Sequence, residues 1–169
     1  MSGFGEAPRK SVSANFYRVV FKGVDPLSTL GSARSGGRYN SPGFAGVLYT
    51  SFASKTGIAE VSKGQIARGI NPQSFDADDW WVYEMEVSLD AVLDLTDPAT
   101  TSQLQISSQS LVQADPAYAR QIGKQANDAG FEAMIVPSAA RPGEKNLVIF
   151  LSAAAPLPTI KSSRPAKLS

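Results

Sequence analysis

Neither cysteine nor histidine occurs in the 169 residues of this chain. No disulfide can staple it, and no cysteine–histidine zinc site can organise it, so its fold must rest on a buried apolar core. The length suits a single domain with such a core. Apolar residues make up 43% and charged residues 18%, which is globular rather than disordered composition. The same absences restrict the chemistry. Ser-His-Asp and Cys-His mechanisms are excluded outright, and no conventional zinc or non-heme iron site is expected. Arg, Lys, Glu, Asp, Tyr, Ser and Thr are what remain. These suit electrostatic stabilisation and substrate positioning better than proton shuttling near neutral pH.

Net charge is +1, but the charges are segregated. Arg9, Lys10, Arg18, Lys22, Arg34 and Arg38 stand in the first forty residues against Glu6 and Asp25. From Gly69 to Tyr118 there is no basic residue, while Asp76, Asp78, Asp79, Glu84, Glu86, Asp90, Asp94, Asp97 and Asp115 all fall there. A basic first segment can hold an anion such as phosphate, or it can be a solvated face. Direct nucleic-acid binding is not expected, because the domain as a whole is not basic and carries no nucleic-acid motif. No run approaches the ~18 continuous apolar residues of a membrane span. Met1 to Ser13 has no apolar run behind Arg9 and Lys10, unlike a secretory signal. A cytoplasmic location is therefore expected.

Residues 1–14 read as a mobile lead-in. Strands are predicted at Asn15 to Lys22, Val47 to Thr50, Trp80 to Leu89, Ala91 to Leu95, Phe131 to Val136 and Leu147 to Leu151, from aromatic and β-branched content. In Trp80 to Leu89, alternation puts Trp81, Tyr83, Met85, Val87 and Leu89 on one face and Glu84 and Glu86 on the other. Pro26 to Gly37 reads as a loop. Ser54 is placed as the cap of a helix from Lys55 to Arg68, with Ile58, Val61 and Ile66 near one face and Gly57 and Gly64 weakening it. Asp115-Pro116 starts a second helix that Gly130 stops, with Tyr118, Ile122 and Ala126 on one face. Residues 97–114 fit no one pattern. Residues 156–169 read as a flexible or partner-binding tail, leaving a domain over 15–155. No internal repeat is found. Strands outnumber helices without regular alternation, which points to an α+β fold with small antiparallel or mixed sheets and a few helices.

Five positions stand out. Arg38 follows Gly36-Gly37 and precedes Tyr39-Asn40-Ser41-Pro42-Gly43. That constrained loop suits bidentate binding of a phosphate, though a solvated surface turn has the same pattern. Arg18 lies inside an apolar strand, where it must face water or meet an anion. Glu60 is the one acid between Asp25 and Asp76; it can enter a cleft or pair with Lys55 or Lys63. Ser138 follows Pro137 at a strand end, where polar groups of open sites collect. Asn146, before the last strand, can cap a turn or touch a ligand.

Together these segments resemble the RES-domain family, named for its arginine, glutamate and serine. The resemblance runs from Tyr17-Arg18 through Gly-Gly-Arg38-Tyr-Asn-Ser-Pro-Gly, Val-Leu-Tyr49-Thr-Ser and Ala59-Glu60. It resumes at Gly130-Phe131, Val136-Pro137-Ser138 and Asn146-Leu-Val-Ile-Phe. Its most specific part is the GGRYN-x-PG loop with a glutamate 11 residues after Tyr49. The resemblance implies an ADP-ribosyltransferase-like fold and the toxin of a toxin–antitoxin pair. Such a toxin consumes NAD by hydrolysis, by phosphorolysis or by transfer of ADP-ribose to a protein acceptor. It implies NAD as substrate, no true cofactor and no metal, and an antitoxin partner with a helix-turn-helix part. On this reading Glu60 stabilises the oxocarbenium-like ribose, and Arg18 and Arg38 bind the pyrophosphate. Tyr49 orients the nicotinamide, and Ser138 hydrogen-bonds the substrate. A catalytically silent nucleotide- or partner-binding module on the same fold is the alternative.

Overall fold

The computed structural model describes residues 3–44, 46–154 and 156–169. The first two residues of the expected lead-in and the expected boundary at Ala155 lie outside them. The fold is α+β. Six strands are β1 (Lys10–Phe21), β2 (Val47–Ser51), β3 (Trp80–Asp94), β4 (Ala133–Pro137), β5 (Lys145–Phe150) and β6 (Thr159–Pro165). Five helices are α1 (Leu30–Ser35), α2 (Ser54–Ala67), α3 (Pro98–Gln103), α4 (Ser108–Leu111) and α5 (Ala117–Asp128). Among the described residues no helix is long and apolar enough to cross a membrane.

The strands form one sheet in the order β1-β2-β5-β4-β3-β6, and β1 also pairs with β3. The pairing therefore closes a ring of five strands, with β6 added to β3 outside it. Only β3–β4 is parallel, and a parallel pair needs a long crossover. Residues 95–132, carrying α3, α4 and α5, supply it. β2, β4 and β5 are apolar in nearly every position because both their faces are covered. Leu48, Ile135, Leu147 and Ile149 face a core shared with Phe16, Met85, Val87 and Leu89. Val47, Val136, Val148 and Phe150 face a second core beneath α4 and α5, with Leu111, Ile122 and Phe131. Each fully buried Leu or Phe contributes about 1.5–3 kcal/mol.

Several expectations are corrected. Trp80 to Asp94 is one strand, not two: it runs on through an irregularity in the β1 pairing between Leu89 and Val92, and Val92 pairs with both β1 and β4. Part of the expected loop before Gly37 is the short helix α1. Ser54 is the first residue of α2 rather than its cap; extended Ala53 holds that position with no side-chain hydrogen bond. Nor is Ile66 inward: it is 61% exposed, and α2 buries Thr56, Gly57, Ser62 and Gln65 instead. A helix that packs through small and polar side chains carries no apolar period to read.

Both ends are held. Phe4 and Ala7 are buried, and β1 begins at Lys10 rather than Asn15. Arg9 stacks over the Phe131 ring at 4.3 Å and donates to the carbonyls of Ala129 (2.7 Å) and Gly130 (3.3 Å). It thereby satisfies carbonyls that the end of α5 leaves open. The expected flexible tail contains β6, antiparallel to β3. All seven β6 residues are exposed, so an edge strand held by backbone pairing shows no apolar alternation. Beyond it Ala166 and Leu168 are buried, and the Ala166 N–H donates to the Trp80 carbonyl at 2.8 Å.

Candidate active site

A cleft of about 580 Å³ opens between β1, the loop after α1, α2, and the ends of β2, β4 and β5. That size suits a small organic ligand. Of the expected site residues, Arg18, Arg38, Tyr49 and Glu60 line it. Ser138 is not among the lining residues and is buried.

The loop after α1 is shaped by two glycines. Gly36 has φ +73°, and a Cβ there would stand 2.9 Å from the Asn40 carbonyl oxygen and from Pro42 Cδ. A Cβ on Gly37 would collide with the Tyr49 hydroxyl, so that backbone lies against the end of the Tyr49 ring. Buried Asn40 then ties the loop together. Its Nδ2 donates to the carbonyls of Ser32 (2.9 Å), Phe44 (3.1 Å) and Ser41 (3.3 Å), and its Oδ1 accepts from the Tyr49 hydroxyl at 2.6 Å. That hydroxyl also accepts from the Tyr39 N–H at 2.9 Å. Tyr49 thus presents its ring to the cleft while its polar end holds the loop. Burial pushes the Tyr49 phenol above its ordinary range, and the hydrogen bond from the Tyr39 backbone and the charges of Arg120 and Arg38 oppose it.

Arg38 leaves this loop and donates through Nη1 to the carbonyls of Gln113 (2.6 Å) and Leu111 (3.3 Å), which latches it to the end of α4. Arg18 rises from β1. Its Nη2 donates to the Ser28 carbonyl at 2.8 Å and its Nη1 to the Tyr49 carbonyl at 3.5 Å. Its Nε–H is buried with no acceptor among the described residues. Burial draws the Arg18 pKa down to about 10, and nearby Asp25 opposes that only in part. Arg18 is charged at neutral pH and short of counter-charge, so an anion in the cleft gains by meeting it.

Glu60 points from α2, three residues after Gly57. A Cβ on Gly57 would press on Val19 Cγ2 at 3.2 Å, so that glycine lets α2 lie close on β1 and β2. Glu60 Oε1 accepts from Ser138 Oγ (2.5 Å), Asn146 Nδ2 (3.0 Å) and the Ala140 N–H (3.3 Å). Its other oxygen takes no hydrogen bond among the described residues. The Ser138 oxygen in turn accepts from the N–H groups of Arg141 (3.0 Å) and Ala140 (3.2 Å). The Ser138 hydroxyl hydrogen is therefore committed to Glu60, not turned toward the cleft. A carboxylate with one oxygen saturated and one open is oriented to act through the open one. Against this one acid the described lining sets Arg18, Arg38 and Arg68.

Sequence reasoning passed over Tyr39, Asn40, Ser51 and Arg68. Arg68 lies just past α2, where its register with Glu60 depends on how the helix ends. Tyr39 stands inside the loop that was singled out, yet nothing in the sequence says that its ring is buried. Its hydroxyl is buried without a partner among the described residues, and burial raises its pKa beyond the ordinary phenol range.

Known proteins are similar to this chain in sequence and in fold. The model of the RES domain matches residues 15–169. A protein of Mycobacterium tuberculosis (strain ATCC 25618 / H37Rv) named "Probable NAD(+) phosphorylase Rv3189" is 32% identical over 158 residues, spanning 94% of this chain and 73% of that relative. The crystal structure of the M. tuberculosis MbcT–MbcA toxin–antitoxin complex contains a similar fold. Its TM-score is 0.82 at 22% identity, over 94% of this chain and 87% of that one. The chain belongs to the RES domain family.

Proposed function

We propose that this protein is a toxin-type enzyme that cleaves the nicotinamide–ribose bond of NAD, with inorganic phosphate as the acceptor. The observation that carries the reading is Glu60: a carboxylate locked through one oxygen in a cleft whose other described charged lining residues are the arginines Arg18, Arg38 and Arg68. Nicotinamide in NAD is a cationic leaving group and needs no general acid, so a chain without histidine is equipped for this step. The barrier is an oxocarbenium-like ribose, and the open oxygen of Glu60 stabilises that charge. Arg18 and Arg38 take the pyrophosphate, where guanidinium forks match phosphate oxygens. The Tyr49 ring borders the nicotinamide. Ser138 acts on the substrate through Glu60, since its hydrogen is already engaged there.

In the reaction the C1″–N bond breaks and its electron pair neutralises the pyridinium nitrogen. A phosphate oxygen bonds C1″, giving nicotinamide and ADP-ribose-1″-phosphate, and the phosphate proton passes to solvent. Phosphate is favoured over water or a protein because the 32%-identical relative bears the name of a phosphorylase. The reading includes a cytoplasmic setting and an antitoxin that keeps the enzyme silent; a helix-turn-helix part in that partner is expected from the family resemblance. The test is incubation of purified protein with NAD, with and without phosphate and cell lysate, followed by mass spectrometry. ADP-ribose-1″-phosphate that appears only with phosphate supports the reading. Free ADP-ribose or a modified lysate protein would reassign the acceptor, and intact NAD under all conditions would overturn the activity.

A further inference from the structure

Also lining the cleft is Ser51, whose hydrogen bond reaches Glu60 through Asn146. Ser51 ends β2 and is directly paired with Asn146 of β5. Its Oγ donates to Asn146 Oδ1 at 2.7 Å, and Asn146 Nδ2 donates to Glu60 Oε1 at 3.0 Å. An asparagine amide has nearly the same shape when turned end for end, so its contacts decide which end faces which neighbour. Turned the other way, Asn146 would set Oδ1 against the carboxylate, oxygen against anion. The Ser51 hydroxyl, 3% exposed, is the one side-chain donor to Oδ1 among the described residues. Without it Oδ1 is left short of a partner and the amide is free to swing.

We propose that Ser51 is a positioning residue of this site: by donating to Asn146 Oδ1 it fixes the amide end that faces Glu60, and so completes, beside Ser138 and Ala140, the set of donors that holds Oε1 and leaves the other carboxylate oxygen free to act. The inference rests on the proposed NAD-cleaving role of Glu60, but the orientation itself can be read without any turnover.

In 15N-labelled wild-type protein, the two Asn146 side-chain amide protons should be more widely separated in chemical shift than those of a solvent-exposed asparagine, because one donates to a carboxylate. Their resonances are identified by loss in Asn146→Ser. The separation should collapse in Ser51→Ala and return in Ser51→Thr. In the NAD assay Ser51→Ala should lose about tenfold in kcat, the effect of loosening a supporting hydrogen bond, with KM for NAD within about twofold and recovery in Ser51→Thr. An Asn146 amide with the ordinary proton separation of a solvent-exposed asparagine in the wild type overturns the proposal even if Ser51→Ala fails to fold. So does an unchanged kcat in a folded Ser51→Ala, or a loss confined to KM. If the wild type shows the held amide but leaves NAD intact, the proposed function falls and the orienting role of Ser51 stands.

Discussion

Ser138 Oγ lies 2.5 Å from Oε1 of Glu60, a residue 78 positions earlier in the chain. The contact determines what Glu60→Gln does. The glutamine Oε1 can still accept from Ser138 and Asn146, so the fold is kept and only the cleft-facing group loses its charge. Turnover should fall by roughly 10²-fold or more, as when a group that meets transition-state charge is removed, while NAD affinity by calorimetry changes little. Near-wild-type turnover in this variant would remove Glu60 from the reaction.

Arg18→Met should move stability and binding in opposite directions. Burial on folding draws the Arg18 pKa below its ordinary value, to about 10. A cation whose pKa falls on folding opposes the fold at every pH where it is charged. Relief begins only as pH rises above about 10, outside the working range. Replacing it with an uncharged side chain of similar length removes that penalty and should raise the Tm, the relief exceeding the loss of its hydrogen bonds to the Ser28 and Tyr49 carbonyls. NAD binding should weaken by roughly 1.5–3 kcal/mol through loss of a charge-assisted contact. A lower Tm with unchanged NAD affinity would make Arg18 a structural residue.

The Tyr39 hydroxyl is buried and unpartnered among the described residues. Tyr39→Phe keeps the ring in the core with Ile122 and Val148 and deletes only the unsatisfied oxygen. Its Tm should equal or exceed that of the wild type, because removing an orphaned polar group does not cost a hydrogen bond. A clear drop in Tm would reveal a partner for the hydroxyl.

Two helix glycines should respond to alanine with opposite signs. Gly64 of α2 has open space where a Cβ would go, so Gly64→Ala should stabilise by about 0.5–1 kcal/mol through helix propensity. At Gly123 of α5 the Cβ would run into the Tyr39 carbonyl oxygen. Gly123→Ala should destabilise by about 1–3 kcal/mol through overpacking, and should displace the loop that carries Arg38. Urea denaturation of both variants checks the signs.

An inhibitor protein that occupies this cleft should carry an acidic group or a C-terminal carboxylate toward Arg18 and Arg38. Its binding should compete with NAD and weaken with added salt. The check is a pull-down with the product of the neighbouring gene, followed by titration with NAD. A complex whose affinity ignores both excess NAD and Arg38→Ala would place the partner elsewhere.

The parts legible in the sequence were those whose burial is periodic. Met85, Val87 and Leu89 alternate along β3, and Ile122 and Ala126 share the inner face of α5. The apolar runs of β2, β4 and β5 also announced themselves. What escaped was structure held by backbone or by small side chains. β6 has no buried residue to mark it, and α2 packs through Thr56, Gly57, Ser62 and Gln65. In the site, residue types pointed to Arg18, Arg38 and Glu60, which line the cleft, and to Ser138, which does not, while Tyr49 entered through the family resemblance. They did not say that the hydroxyls of Tyr49 and Ser138 are engaged by Asn40 and Glu60, because such pairings join distant segments.

The anchors of Glu60 have a bearing on the chain during its own synthesis. Glu60 leaves the ribosome well ahead of Ser138 and Asn146, the latter 86 positions downstream. Until β4 and β5 have emerged and closed the ring, nothing holds the carboxylate and the cleft has no far wall. A polypeptide that stops short of β5 therefore carries Glu60 without an assembled site, and the anchored carboxylate arises only once both strands have joined the sheet.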